Sequence, residues 1–255
     1  MRGAWSTIDK RMRDEPYELS RPQKLYAVCA AIFITALVIA EATAGKLFTL
    51  FELPVTITIL GTTFDRVIMT AGVIAFPVTF IITDLLNEYY GVRGIRFVTV
   101  LGMVMIIFEF AILQVAIAAP TSSISPVPDA AFTVVFGTTG RVIIGSLVAY
   151  IVGQLADIKL FHWFRRLTRG RHLWLRATGS TFGSQFLDTF IVLVIAFYGQ
   201  LQFGAIVAIT LFNYIYKFII AIVITPIIYL AHWLMDIYLG KETAEELVLT
   251  AAEAD

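Results

Sequence analysis

Six long apolar stretches constrain this chain more than any other feature of it. Crossing a bilayer as a helix takes roughly 20 mainly apolar residues, and the stretches at about 25–45, 67–89, 95–118, 142–163, 178–199 and 204–235 all reach that length. Hydrocarbon offers no partners to backbone N–H and C=O groups, so a spanning segment must satisfy them as a helix or in a closed barrel. Barrel strands would be short and alternating. Runs of this length therefore predict an all-α integral membrane protein with six transmembrane helices. The 58% hydrophobic content over 255 residues exceeds what a single soluble core of this size needs.

Lysine and arginine then set the orientation, because they concentrate on the cytoplasmic side. With the N-terminus inside, the inner segments hold six basic residues in the leading tail, Arg93 and Arg96, six from Lys159 to Arg176, and Lys241. The outer segments hold only Lys46, Arg66 and Arg141. Both termini are thus expected in the cytoplasm, with residues 1–24 as a tail, 25–238 as the membrane domain and 239–255 as an acidic, short or frayed surface helix. The leading segment lacks a short apolar stretch ending in a small-residue cleavage site and reads as a retained tail. Outside, residues 47–66 contain the alternation VTITI, which suits a short hairpin or a partly inserted loop. Residues 119–141 open with three prolines and cannot form one continuous helix.

Several function classes recede on the same grounds. Acidic and basic residues balance at nineteen each, so no global field recruits nucleic acid. Cys29 is the only cysteine, which excludes an intrachain disulfide or a cysteine-built metal site. His162, His172 and His232 all fall near the predicted inner surface, and no phosphate-binding glycine loop is present. The chain reads as a non-enzyme without metal or cofactor.

What remains to be explained is the set of polar residues inside the spans. A carboxylate at mid-bilayer costs about 2.5–3.5 kcal/mol on insertion scales, so such groups normally face a bundle interior and serve ions, protons or substrate. In FPVTFIITDLLNEYYG, residues 76–91, helical spacing puts Asp84, Asn87 and Glu88 on one face. Pro77 lies two turns earlier on that stripe and would free a carbonyl near residue 73, a break tolerated where it lines a cavity. Glu88 also suits an interfacial position beside Arg93. In the fifth span, Thr181, Ser184, Gln185 and Asp188 share a stripe, with Asp188 near the midplane and Gly179 and Gly183 inviting close helix approach. The sixth carries Asn213 and Lys217 one turn apart, and its Pro226 is expected to kink it. Lys217 is the only basic residue so deep, and pairing with Asp84 or Asp188 is its simplest electrostatic solution. Glu41, Glu109 and Asp157 suit interfacial positions as well as they suit ligand binding. Gly145, Ala149 and Gly153 form a small-residue ridge able to seat a helix of the same chain or of a second copy in a homodimer.

Several carboxylates against one lysine, with amides, hydroxyls and aromatic rings such as Phe76, Phe80, Phe182, Phe186 and Tyr214, suit a small planar heterocycle with paired N–H donors, including a cationic one. An anionic substrate does not fit. Partners on this reading are a small heterocyclic molecule and the lipid bilayer.

The stretch AFPVTFIITDLLNEYYG resembles the signature of the queuosine precursor transporter family, also called the vitamin uptake transporter family. AEATAGKLF, RATGSTFGSQFLDTFI and YKFIIAIVITPIIYL are similar as well, and the likeness runs over residues 25–238. This resemblance implies a six-helix inner-membrane importer of the 7-cyano and 7-aminomethyl 7-deazaguanine precursors of queuosine. On that basis the substrate's N–H edge would meet Asp84 or Asp188, its carbonyl Gln185, Asn213 or Lys217, and its ring a phenylalanine such as Phe76, with Asn87, Glu88, Ser184 and Glu41 nearby. Three spans on each side of the outer loop fit a 3+3 inverted arrangement and alternating access. The rival is a membrane-embedded binding subunit that needs a separate energising partner.

Overall fold

Ser20 opens the first helix. Its hydroxyl accepts from the Gln23 N–H while the Gln23 side chain accepts from the Ser20 N–H, and Pro22 sits in the first turn, where its missing N–H costs nothing. The computed structural model describes residues 18–167 and 173–253, apart from the side chains at 154, 157–158 and 161–182. The sequence readings for residues 1–17 of the leading tail, Asp157, His162, His172, Gly179, Thr181 and Phe182 lie outside the described residues or side chains, and the first helix begins at Arg21, inside the expected tail. What is described is mostly helical.

Helix α1 spans Arg21–Thr43, and a hairpin follows, with strand β1 at Leu47–Ile59 and β2 at Thr62–Thr70. Of the two readings for the outer segment, the hairpin is the one formed, and it runs four residues past 66, through the expected start of the second span. Leu60 and Gly61 make the two-residue turn, at φ 46° and 80°. Positive φ at both positions matches the right-handed strand twist, yet Leu60 is not a residue that favours it. Leu60 is also exposed. Leu60→Asn should therefore raise the stability of the purified protein by on the order of 0.5 kcal/mol, seen as a higher midpoint in thermal unfolding in detergent. The ladder shifts register between Glu52 and Ile57, around Pro54, which has no N–H to give. On β2, Asp65 holds Arg66 through two bonds of 2.8 and 2.9 Å, and these keep its carboxyl down at about 2. Both groups are solvent-exposed, so the pair adds little stability.

Two prolines correct the expected span boundaries. Residues Ala71–Ala75 form a 3-10 turn, and Pro77 stands in the first turn of the next helix, α2, instead of breaking a longer one. Pro226 does the same for α6. The expected span 204–235 divides at Ile224 into α5 (Phe203–Val223) and α6 (Thr225–Leu239). In each case proline sits where its lost hydrogen bond was already absent.

Helix α2, Phe76–Ala118, is interrupted at Gly91, whose φ of 65° and ψ of −178° lie outside any helix. Contacts along α1 show what the interruption does. Gly72 abuts Ala40, Tyr90 donates to the Pro22 carbonyl, Tyr26 donates to the Gly94 carbonyl, and Gly102 abuts Leu37. Residues 76–90 therefore run antiparallel to α1 and residues 92–118 parallel to it. The chain reverses at Gly91. Helix α3 (Asp129–Leu167) returns alongside, with Thr139 donating to the Ala42 carbonyl, and α4 (Leu173–Phe197) packs along α3, with Arg141 donating to the Tyr198 carbonyl. The proline-bearing loop after α2 ends earlier than expected, since α3 is helical from Asp129.

A buried cluster of Cys29, Phe33, Leu85, Leu86, Tyr89, Met235 and Leu239 forms the core at one end of the bundle, and the C-terminal helix α7 (Lys241–Glu253) packs against it. At the other end, β2 packs Phe64 edge-on against Phe212 of α5. Elsewhere the helices turn apolar stripes outward: Val28, Ile32 and Ile39 on α1, Phe97, Val104 and Phe108 on α2, Ile215, Ile219 and Ile222 on α5 are all exposed. Such faces are at home against lipid and far too extensive for water. Arg21–Thr43, Ala71–Ala118, Asp129–Gly153 and Phe203–Val223 are long and apolar enough to cross a membrane, and Gly183–Phe197 is apolar but shorter. This is a multi-pass membrane protein.

Candidate functional site

Between the two ends lies a cavity of about 290 Å³. It takes residues from every helix around it: Phe33, Leu37 and Glu41 from α1, Thr70 and Gly72 from the end of the hairpin and the 3-10 turn, Phe76, Thr79, Thr99 and Met103 from α2, Ser146 and Tyr150 from α3, Asp188 and Thr189 from α4, Asn213 and Lys217 from α5. The volume stands at the low end of the ~300–1,000 Å³ range of ligand pockets, which suits a small ring system.

Two polar groupings are set in this mostly apolar wall. On α4 and α5, the Lys217 ammonium donates to the Thr189 hydroxyl at 3.2 Å and lies 4.0 Å from an Asp188 oxygen and 5.6 Å from the centre of the Phe76 ring. One turn away, Asn213 is 2% exposed; its side-chain oxygen accepts from the Thr70 hydroxyl at 3.0 Å, and its amide donates to the Ile209 carbonyl. That bond ties the hairpin end to α5. On α1 and α3, the Ser146 hydroxyl donates to Glu41 at 2.9 Å. Glu41 is buried, and Asp188, Glu109 and Lys217 all lie within its electrostatic reach. Glu109 has a buried side-chain oxygen without a hydrogen-bond partner among the described residues.

Of the residues singled out in the sequence, Glu41, Phe76, Asp188, Asn213 and Lys217 meet in this cavity. Asp84, Asn87, Glu88 and Gln185 do not line it, and Ser184 is buried nearby without lining it. Of the two partners considered for Lys217, Asp188 is the one beside it. Asp84 lies at the end of the bundle away from the hairpin, 3.0 Å from a His232 ring nitrogen, with its side chain about half exposed. Tyr89, stacked on His232, donates to Asp236 at 2.7 Å. Together these contacts link the first limb of α2 to α6. Asn87 and Glu88 are exposed on the same face, and Glu88 borders a second, open pocket with Asp236, Lys241 and Glu245. Phe80 packs against Phe76, and Phe186 meets Tyr214 edge-on. The small-residue ridge of α3 is engaged within the chain at Gly145, which abuts Val192 of α4.

Thr70, Ser146 and Thr189 carry no signal of their own in the sequence. Thr189 adjoins Asp188 and Ser146 adjoins the glycine ridge, but hydroxyls are common in membrane helices and neither position carried a distinguishing signal. His232 had been set aside as superficial. Its partner is 148 residues away, beyond the reach of any local pattern.

No grouping of three or more metal-ligating side chains occurs among the described residues. The arrangement offers carboxylates, an ammonium, an amide and a ring around a common space. That is equipment for holding a polar molecule inside a membrane.

Comparison with known proteins agrees. The profile of the family described as "Putative vitamin uptake transporter" matches residues 70–231. A protein of Bacillus subtilis (strain 168) named "Probable queuosine precursor transporter" is 34% identical over 164 residues, covering 64% of this chain and 71% of that protein. One of the same name from Haemophilus influenzae is 32% identical over 150 residues, covering 58% of this chain and 60% of its own. No solved structure matches. The matched segment takes in Asp188, Asn213, Lys217 and Ser146 as well as the reversal at Gly91, and the chain belongs to the vitamin uptake transporter family, a family of transporters and not of enzymes.

Proposed function

We propose that the protein imports 7-deazaguanine precursors of queuosine, the 7-cyano or 7-aminomethyl compound, across the inner membrane, through six spanning helices with both termini in the cytoplasm. The observation that carries this reading is the grouping of Asp188, Lys217, Asn213 and Phe76 around one cavity. A guanine-like edge presents two N–H donors to a carboxylate, and its carbonyl accepts from an ammonium or amide. The bicyclic ring would replace the ammonium now over Phe76 with a stacked contact. Both named relatives support the same cargo class. Asp84, Asn87, Glu88 and Gln185 would meet it on the way out, once the Asp84–His232 and Tyr89–Asp236 contacts part. The halves on either side of the outer loop would rock about the cavity as a 3+3 pair.

The test is uptake of labelled base into liposomes containing only this protein. Entry of either compound above the protein-free control is expected. A base that raises the melting temperature but never enters would identify a binding subunit that needs an energising partner, and absence of both effects would remove the reading.

A further inference from the structure

The charges around the cavity do not balance. Lys217 supplies one ammonium, and Asp188 and the Thr189 hydroxyl engage it. Glu41 is only 9% exposed, faces the same cavity from another pair of helices, and receives one hydroxyl donor, from Ser146. Glu109, within electrostatic reach of Glu41, has a buried oxygen without a partner among the described residues. A carboxylate has about four acceptor sites, so one hydroxyl leaves most of Glu41 unused. An isolated buried anion is costly enough that it normally acquires a cation or a proton. Nothing among the described residues lining the cavity supplies a second cation.

We propose that the cavity is shaped for a cargo bearing one positive charge, and that Glu41 is the specificity residue that reads it. The inference rests on the import reading above. A planar base held at Asp188, Asn213 and Lys217 by its ring edge would direct a short cationic arm toward α1 and α3, where Glu41 accepts the ammonium. Of the two compounds, this selects the aminomethyl base, whose primary amine is protonated near neutral pH, over the cyano base, which has no charge to offer. A proton resident on Glu41 would satisfy the same imbalance without any such preference, and that alternative is what the experiment separates.

The purified full-length protein in detergent is titrated with each base at neutral pH, as wild type and as E41Q, which keeps the shape and removes the charge. In wild type the aminomethyl base should bind about tenfold or more tightly than the cyano base, the size of one charge-assisted hydrogen bond. E41Q should bring the two affinities within about threefold by weakening the aminomethyl base alone. Ser146→Ala removes a neutral donor but no charge, so the preference should survive it, and this second variant serves if E41Q does not fold. Equal affinities in wild type, a preference that persists in E41Q, or one lost in Ser146→Ala would each overturn the inference. With equal affinities the import reading still stands; if neither base binds, both fall.

Discussion

Asp188→Ala should reduce uptake of the carried base by about 100-fold or more, the equivalent of two charge-assisted hydrogen bonds, while a doubly substituted protein regains stability without regaining uptake. Lys217 has its ammonium 4.0 Å from Asp188 and 3.2 Å from Thr189. Removing the carboxylate leaves that ammonium uncompensated in a mostly apolar wall. Loss of one partner from a fully buried pair typically costs about 3–5 kcal/mol. Since 35% of the Asp188 side chain is open, about 1–3 kcal/mol is expected here. Replacing both partners, as in Asp188→Ala with Lys217→Met, removes the stranded charge and should restore most of the thermal stability. Uptake stays lost, because the cavity then has neither the acceptor nor the donor for the cargo's edge. Unfolding midpoints and liposome uptake on the same three preparations check this. Full uptake in the Asp188→Ala protein would remove the cavity from the transport route.

Gly91→Ala should lower stability by about 2–3 kcal/mol, on the order of 5–10 °C in the unfolding midpoint. A φ of 65° with ψ near 180° belongs to a region that is essentially glycine's alone, because a Cβ there collides with its own backbone. The corner is crowded from outside as well. A Cβ at Gly91 would stand 3.2 Å from the Ala251 carbonyl oxygen and 3.4 Å from its Cα, so α7 would have to shift. The substitution is far from the cavity in function but not in consequence, since Gly91 holds the two limbs of α2 antiparallel and both limbs line the cavity. A midpoint unchanged from wild type in detergent would mean that the corner adopts another conformation.

Helical apolar runs, the family signature and the presence of Asp188 and Lys217 within such runs were all legible one residue at a time. Length decides whether a run can span, and a charge deep in a run calls for a reason whatever its neighbours do. The same local reading treated Asp84 and Asp188 alike, as carboxylates on polar stripes. Their difference lies in what faces them. Asp188 and its neighbour Thr189 both meet Lys217, which lies 28 residues beyond Thr189, whereas Asp84 meets His232 across 148 residues, away from the cavity. Glu41 looked as interfacial as it did functional until Ser146, 105 residues on, was found against it. Prolines were legible in part for a related reason: Pro77 and Pro226 do interrupt the α-helical ladder, at Ala71–Ala75 and at Ile224, but whether the chain on the far side counts as one kinked helix or a new one depends on what precedes them.

By itself, then, the sequence settled the medium this protein lives in, the helical answer to an environment without water, and the transporter family it joins, because these follow from how much apolar length the backbone must satisfy internally and from motifs contiguous in the chain. Only the tertiary structure decided which carboxylate shares a chamber with the lysine and which one meets a histidine at the far end. Periodicity tells which side chains share a helix face; which faces meet is decided by packing between helices far apart in sequence.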